Sequence, residues 1–222
     1  MFVKICGTTS EEDALLSVAL GADALGFIFA PSPRQVAVNV VRDIVRRLPP
    51  EILTIGVFRN ELPQRVAKIV NDCGLRGAQL HGRETPDQSQ WLKERIPVVI
   101  KAFVGGDPAI RHAEEHGADA ILLDSTSPGS GKVFDWRVAE DAPTGLPILL
   151  AGGLTPENVA DAIHKVHPFG VDAVTGLESE PGKKDPRKLR LFIANAKAAA
   201  PDDDDDDEGP FGPAPYDWDV VE

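Results

Sequence analysis

At 222 residues the chain suits the roughly 200 to 250 residues that a one-domain α/β barrel needs, and its 42% hydrophobic and 26% charged residues exclude a disordered chain. The formal charge of −12 is concentrated at one end: residues 201–222 hold ten carboxylates and no Lys or Arg, so the preceding body keeps only two of the twelve net negative charges. Such a body has no basic excess with which to neutralise a nucleic-acid backbone. Two cysteines, Cys6 and Cys73, argue against a disulfide framework and a structural zinc site, and they fit a reducing compartment. Met1 leads at once into a strand-like segment with no charged and then apolar leader, and no apolar run approaches the 18 or so residues of a membrane span. A cytoplasmic protein is expected.

In chain order, short apolar β-rich runs recur at Phe2 to Gly7, Ala24 to Phe29, Leu53 to Phe58, Gly77 to Gly82, Pro97 to Phe103, Ala120 to Ser125, Pro147 to Gly153 and Val171 to Gly176. Each is followed by a helix-like stretch. In the first, Ser10 caps, Glu11, Glu12 and Asp13 sit at the positive end of the helix dipole, and Leu15, Val18 and Ala19 line one face. Four later stretches open with a capping residue and a proline: Thr85-Pro86, Asp107-Pro108, Thr155-Pro156 and Asp185-Pro186. Strict alternation implies parallel strands, right-handed crossovers leave a closed barrel or an open doubly wound sheet, and eight units favour closure. The predicted fold is a single (β/α)8 TIM barrel over residues 1–200. Residues 201–222, six aspartates followed by a Pro/Gly-rich stretch with Phe211, Tyr216 and Trp218, read as a disordered acidic tail, a solvated appendage in preference to a partner-binding motif.

Several strands carry polar residues at alternate positions near their C-terminal ends: Lys4 with Cys6, Gln79 with His81, Asp124 two residues after Leu122, and Asp172. Alternate positions share a strand face, and in a closed barrel that face converges at the mouth, where barrel enzymes keep their chemistry. Gly152 and Gly153 end the seventh run just before Thr155-Pro156, and Gly176 follows Thr175 after the eighth. Glycines admit close approach of a phosphate to backbone N–H groups, and the helix dipole there favours an anion. A tight turn is the plainer alternative, but barrels commonly place phosphate sites after strands seven and eight. A small phosphorylated substrate is therefore expected.

Cys6 is either a buried packing group or a base. As a base it must be a thiolate, which nearby positive charge would favour; Lys4, one layer below, is the candidate. Asp124 follows four apolar residues, where partial desolvation would favour its proton-donating form; a loop hydrogen bond is the competing role. A base and an acid facing each other across one mouth suit a proton-transfer isomerisation.

Across essentially Phe2 to Lys197 the chain resembles the phosphoribosylanthranilate isomerases of tryptophan biosynthesis. The resemblance rests on seven blocks in order: Lys4-Ile5-Cys6-Gly7-Thr8-Thr9, Gly21-Ala22-Asp23-Ala24-Leu25-Gly26-Phe27, Ser32-Pro33-Arg34, Gln79-Leu80-His81-Gly82, Phe134-Asp135-Trp136, Gly152-Gly153-Leu154-Thr155-Pro156-Glu157-Asn158-Val159 and Pro181-Gly182-Lys183-Lys184-Asp185. It implies an Amadori rearrangement of N-(5-phosphoribosyl)anthranilate without metal or organic cofactor. By the same resemblance, Asp124 protonates the furanose ring oxygen, Cys6 removes the proton from ribose C2, and Arg34 faces the anthranilate carboxylate. Gly152, Gly153, Thr175 and Gly176 fall on phosphate-binding positions. The family's paired hydroxyl residues before the last glycine appear here as Val174-Thr175, so one hydroxyl is missing. Asp172 and Gln79 are expected to order an inner hydrogen-bond network.

Other residues are read as structural. His112 and His116, four apart on a predicted helix, lack a third metal ligand and are placed on an exposed polar face. His164 and His167 complement a helix C-terminus; His81 orders the site; Cys73, before Gly74, packs. The rival readings are another sugar-phosphate barrel enzyme, such as an indole-glycerol-phosphate synthase or a phosphosugar epimerase, and a catalytically silent barrel whose tail binds a partner. A monomer or homodimer is expected; no tail partner is named by the residues.

Overall fold

The computed structural model describes residues 1–124, 145–200, 210 and 211. Eight parallel strands close a barrel in sequential order: β1 (Phe2–Cys6), β2 (Ala24–Ile28), β3 (Leu53–Phe58), β4 (Gly77–Leu80), β5 (Val98–Val104), β6 (Ala120–Asp124), β7 (Ile148–Leu150) and β8 (Gly170–Ala173). The last strand pairs with the first, Lys4 standing opposite Asp172. The eight-unit reading holds. Ser125, assigned to the sixth strand above, and the Phe134-Asp135-Trp136 block lie outside the described residues.

Helices α1 (Glu11–Ala19), α2 (Val38–Val45), α3 (Pro63–Cys73), α4 (Pro86–Lys93), α5 (Val159–Val166) and α6 (Pro186–Ala198) surround it, with a 3-10 segment at Pro108–His116. Their apolar faces and the outer strand faces make the main core, including Ile5, Leu25, Phe27, Val66, Leu92 and Phe192. A second cluster, with Leu53, Ile55, Ile100, Leu122 and Leu149, fills the barrel interior. Branched residues packed in layers make that interior a core rather than a pore.

Ser10 caps α1 by accepting from the Asp13 amide at 3.1 Å. Thr85 forms a reciprocal capping box with Gln88, and Asp185 accepts from the Arg187 and Lys188 amides. The Thr155-Pro156 assignment needs correction. α5 begins three residues later at Val159, because the Asn158 side chain accepts from Thr155 N at 2.8 Å and donates to Gly153 O at 3.0 Å, holding residues 153–158 as a turn. The helix N-terminus is therefore set back from the glycines.

Two other expectations are corrected. On α1 the buried residues are Asp13, Ala14 and Ser17, while Leu15 is 40% exposed and Ala19 is also exposed. The rotation follows from polar contacts: Asp13 Oδ2 accepts from Lys184 N at 3.1 Å, and Ser17 Oγ donates to Asp13 O at 2.7 Å. His116 is buried, not exposed: its Nδ1 pairs with Ser89 Oγ at 2.9 Å and its ring meets Phe103 edge-on. His112 breaks helical geometry at φ −112°, ψ 18°, so the two histidines do not share a face, and His112 pairs with Glu115 at the surface. Burial and the nearby Lys101 charge lower the pKa of His116, favouring the neutral ring. Cys73 ends α3 before a left-handed Gly74 and is buried, as expected.

At the opposite end of the barrel from the strands' C-termini, Phe2 and Phe169 stack with ring centroids 5.4 Å apart. Phe211, from beyond the barrel, joins them at 5.0 and 5.7 Å. Aromatic trios of this kind are worth about 1 kcal/mol per ring pair beyond area burial. Phe211→Ala removes two of the three ring pairs and is accordingly expected to lower the thermal midpoint by about 6 °C and to leave steady-state kinetics unchanged, because the trio lies at the far end of the barrel. Differential scanning calorimetry beside an activity assay checks both.

Candidate active site

The C-terminal ends of the strands surround a cavity of about 410 Å³ whose lining includes Cys6, Arg34, Gln79, His81, Asp124, Gly152, Gly153, Asp172, Val174 and Thr175. Cys6 and Asp124 end β1 and β6. In the closed order two strands separate them one way and four the other, so they face each other across the mouth. Gly176 does not line the cavity. It packs behind, where any side chain would collide with the Leu154 carbonyl.

Below the cavity floor, Lys4 is fully buried, and its ammonium donates to Asp172 Oδ1 at 2.8 Å and Gln79 Oε1 at 2.9 Å. That contact fixes the Gln79 amide, whose Nε2 must then donate to His81 Nδ1 at 2.9 Å. His81 therefore carries its proton on Nε2, which meets Asp124 Oδ2 at 3.2 Å. One chain of contacts thus runs from the neighbour of Cys6 to Asp124. The expected ordering roles of Gln79, Asp172 and His81 match this geometry.

The Cys6 sulfur rests against Gly26, where a Cβ would stand 2.5 Å away; only glycine leaves it room. Burial pushes the Cys6 thiol above its ordinary pKa, Lys4 and Lys184 pull it down, and Asp172 pushes it up, with burial dominant. Burial therefore works against the thiolate that Cys6 must become to act as a base. Lys4 does supply positive charge, but its own partner Asp172 opposes it, and burial favours the thiol form. Lys4 itself, although burial works against its charge, is held above its ordinary pKa by Asp172 and Cys6.

Gly152 and Gly153 both take left-handed backbone, φ +87° and +69°, which a side chain would strain. They turn the chain over the cavity rim beside Val174 and Thr175. Lys184, wholly buried, donates to the carbonyls of Cys6 at 2.6 Å and Val174 at 3.3 Å. It ties the ends of β1 and β8 together beneath the rim. Among the described residues no cluster of three or more His, Cys, Asp or Glu is arranged to hold a metal ion, and no helix is long and apolar enough to cross a membrane.

The family of N-(5'-phosphoribosyl)anthranilate isomerases matches this chain over residues 3–195. The chain belongs to that family. The isomerase of Desulforudis audaxviator is 48% identical over 204 residues, covering 89% of this chain and 98% of its own. The crystal structure of the phosphoribosylanthranilate isomerase of Thermus thermophilus superposes with a TM-score of 0.84 at 39% identity, covering 89% of this chain and 99% of its own. A further solved isomerase, in complex with reduced 1-(o-carboxyphenylamino)-1-deoxyribulose 5-phosphate, has a TM-score of 0.78 at 39% identity over 89% of this chain and 99% of its own. Family membership agrees with the recognition made from the motif blocks.

Two residues that shape the isomerase site went unassigned in the sequence. Lys184 stood inside the Pro181 to Asp185 block without a role, and Glu178, which binds Arg34, carried no signal. Both lie on the short strands β9 (Glu178–Glu180) and β10 (Lys183–Lys184), whose pairing over the barrel mouth depends on tertiary contacts.

Proposed function

We propose that this chain is a phosphoribosylanthranilate isomerase that converts N-(5-phosphoribosyl)anthranilate to 1-(2-carboxyphenylamino)-1-deoxyribulose 5-phosphate in tryptophan biosynthesis. The observation that carries the reading is the placing of Cys6 and Asp124 on facing strands of one cavity, with the left-handed Gly152-Gly153 turn on its rim. Asp124 gives a proton to the ring oxygen as the C1–O bond breaks, leaving an iminium ion at C1. Cys6, once deprotonated, takes the C2 proton and yields the enolamine. Protonation at C1 with loss of the C2 hydroxyl proton then gives the ketone, so the reaction is isomeric overall. His81 orients Asp124 through its Nε2–H.

Arg34 presents a guanidinium to the anthranilate carboxylate, a pairing suited to its planar fork. Backbone amides around Gly152, Gly153 and Thr175 hold the phosphate, with Gly176 packed behind them. Because Val174 brings no hydroxyl, Val174→Ser is expected to lower KM about two- to fivefold with kcat unchanged, the value of one added neutral hydrogen bond; steady-state kinetics read it, and an unchanged KM would show that the amides suffice. The barrel through residue 200 is the catalytic unit and residues 201–222 an appendage; the chain works in the cytoplasm, where two free buried cysteines stay reduced, as a monomer or homodimer.

The decisive assay follows consumption of the fluorescent anthranilate substrate. Wild type should consume it, and folded Asp124→Asn should not. A wild-type barrel that leaves the substrate untouched refutes the proposed function.

A further inference from the structure

Arg34 is not a free guanidinium awaiting a substrate. Its Nε and Nη2 donate to the two carboxylate oxygens of Glu178 at 2.7 Å each, a side-on bidentate pair with Arg34 at 12% and Glu178 at 5% side-chain exposure. Arg34 lines the cavity and Glu178 does not. The carboxylate therefore grips the edge turned away from the cavity. Of the five guanidinium N–H bonds, two are used. Of the remaining three, one on Nη1 and one on Nη2 form the end-on fork, and the second Nη1 N–H points back along the Cδ side.

Several contacts fix this arrangement. The Arg34 stem crosses Gly7, where a Cβ would come within 2.9 Å of its Cδ and where φ is +70°. Glu178 is itself held by the Gly182 amide at 3.3 Å and faces the Lys184 ammonium at 3.7 Å. The Glu178 hydrogen bonds, outweighing burial, raise the pKa of Arg34 further, so it stays charged. We propose that Glu178 is the positioning residue for substrate carboxylate recognition: it immobilises Arg34 so that the end-on fork meets the anthranilate carboxylate. This rests on the isomerase reading above and adds to it a residue that never touches substrate. Pre-organisation of this kind removes the ordering cost of a long side chain from the binding step.

Glu178→Gln keeps the shape but turns an amide N–H toward one guanidinium N–H, so one contact is lost. KM for the anthranilate substrate should rise about tenfold, the value of one charge-assisted contact, while kcat stays within about threefold. The readout that a merely structural role would not move is ligand discrimination. By titration calorimetry, reduced 1-(o-carboxyphenylamino)-1-deoxyribulose 5-phosphate should bind Glu178→Gln about tenfold more weakly, and its phenylamino counterpart lacking the carboxyl should bind as in wild type. In an Arg34→Met background the Glu178→Gln change should have no further effect on either ligand. Equal weakening of both ligands, or no weakening of either, overturns the proposal. Should Glu178→Gln fail to fold, Glu178→Asp, which keeps the charge but cannot reach both nitrogens, carries the same comparison. A wild type without turnover would instead refute the isomerase reading, and so is told apart from failure of this one.

Discussion

Cys6→Ser is expected to lower kcat by about 10² to 10⁴, the range supplied by a positioned general base, while the variant still melts cooperatively. The hydroxyl fits beside Gly26 but does not ionise in any accessible pH range, so proton abstraction from C2 is lost and phosphate and carboxylate binding are kept. The wild type should show a companion signature. Burial raises the Cys6 pKa above the ordinary 9.0, so the thiolate is a minor species at neutral pH and grows about tenfold per pH unit. Log kcat/KM should therefore climb with a slope near one through pH 9. Lys4, held above its ordinary value, stays charged across that window and does not account for the rise. The slope should be absent in residual Cys6→Ser activity. An unaffected Cys6→Ser variant, or a wild-type profile flat from pH 7 to 9, would overturn the assignment of Cys6 as the base.

Lys4→Met should be the most destabilising single change. It strips the only cation within hydrogen-bonding distance of Asp172 among the described contacts and leaves Gln79 Oε1 without its 2.9 Å donor. Leaving a buried charge uncompensated costs about 3 to 5 kcal/mol, roughly 10 °C in thermal midpoint for a chain of this size. Urea unfolding at neutral pH measures it. The sign with pH also follows: a lysine whose folded pKa is raised contributes fully below its unfolded value and loses that contribution only as pH rises through the folded one. The Lys4 contribution therefore supports the fold throughout the neutral range and is lost in strong alkali. Lys4→Met combined with Asp172→Asn should recover more than half of the loss, since the stranded carboxylate is then gone. If the single variant is as stable as wild type, the pair is not what holds the barrel floor.

The route from sequence to site can be followed residue by residue. The alternation of Lys4 with Cys6 and of Gln79 with His81 placed four polar side chains on the inward strand face, and the barrel brings them where the period of two requires. Capping chemistry at Ser10, Thr85 and Asp185 was equally legible because a cap acts over three residues. At Thr155 the same signal misled: Asn158 reaches back to Gly153 and postpones the helix. The buried face of α1 could not be read from Leu15 and Val18, because Lys184, distant in the chain, selects Asp13 as its partner. His116 was misplaced for a similar reason, a kink at His112 that periodicity does not announce.

What the sequence determined by itself is the eight-unit parallel architecture, the family, and the residue types that gather at the strand ends, since these follow from local spacing and from motif blocks a few residues long. The charge state of those residues and their orientation depend instead on the closed barrel. The Cys6 proton is held by burial in opposition to Lys4, and the Arg34 fork is aimed by a glutamate 144 positions later. Desolvation and long-range ion pairing depend on which side chains a closed barrel encloses together, a property of the packed whole that no local pattern encodes.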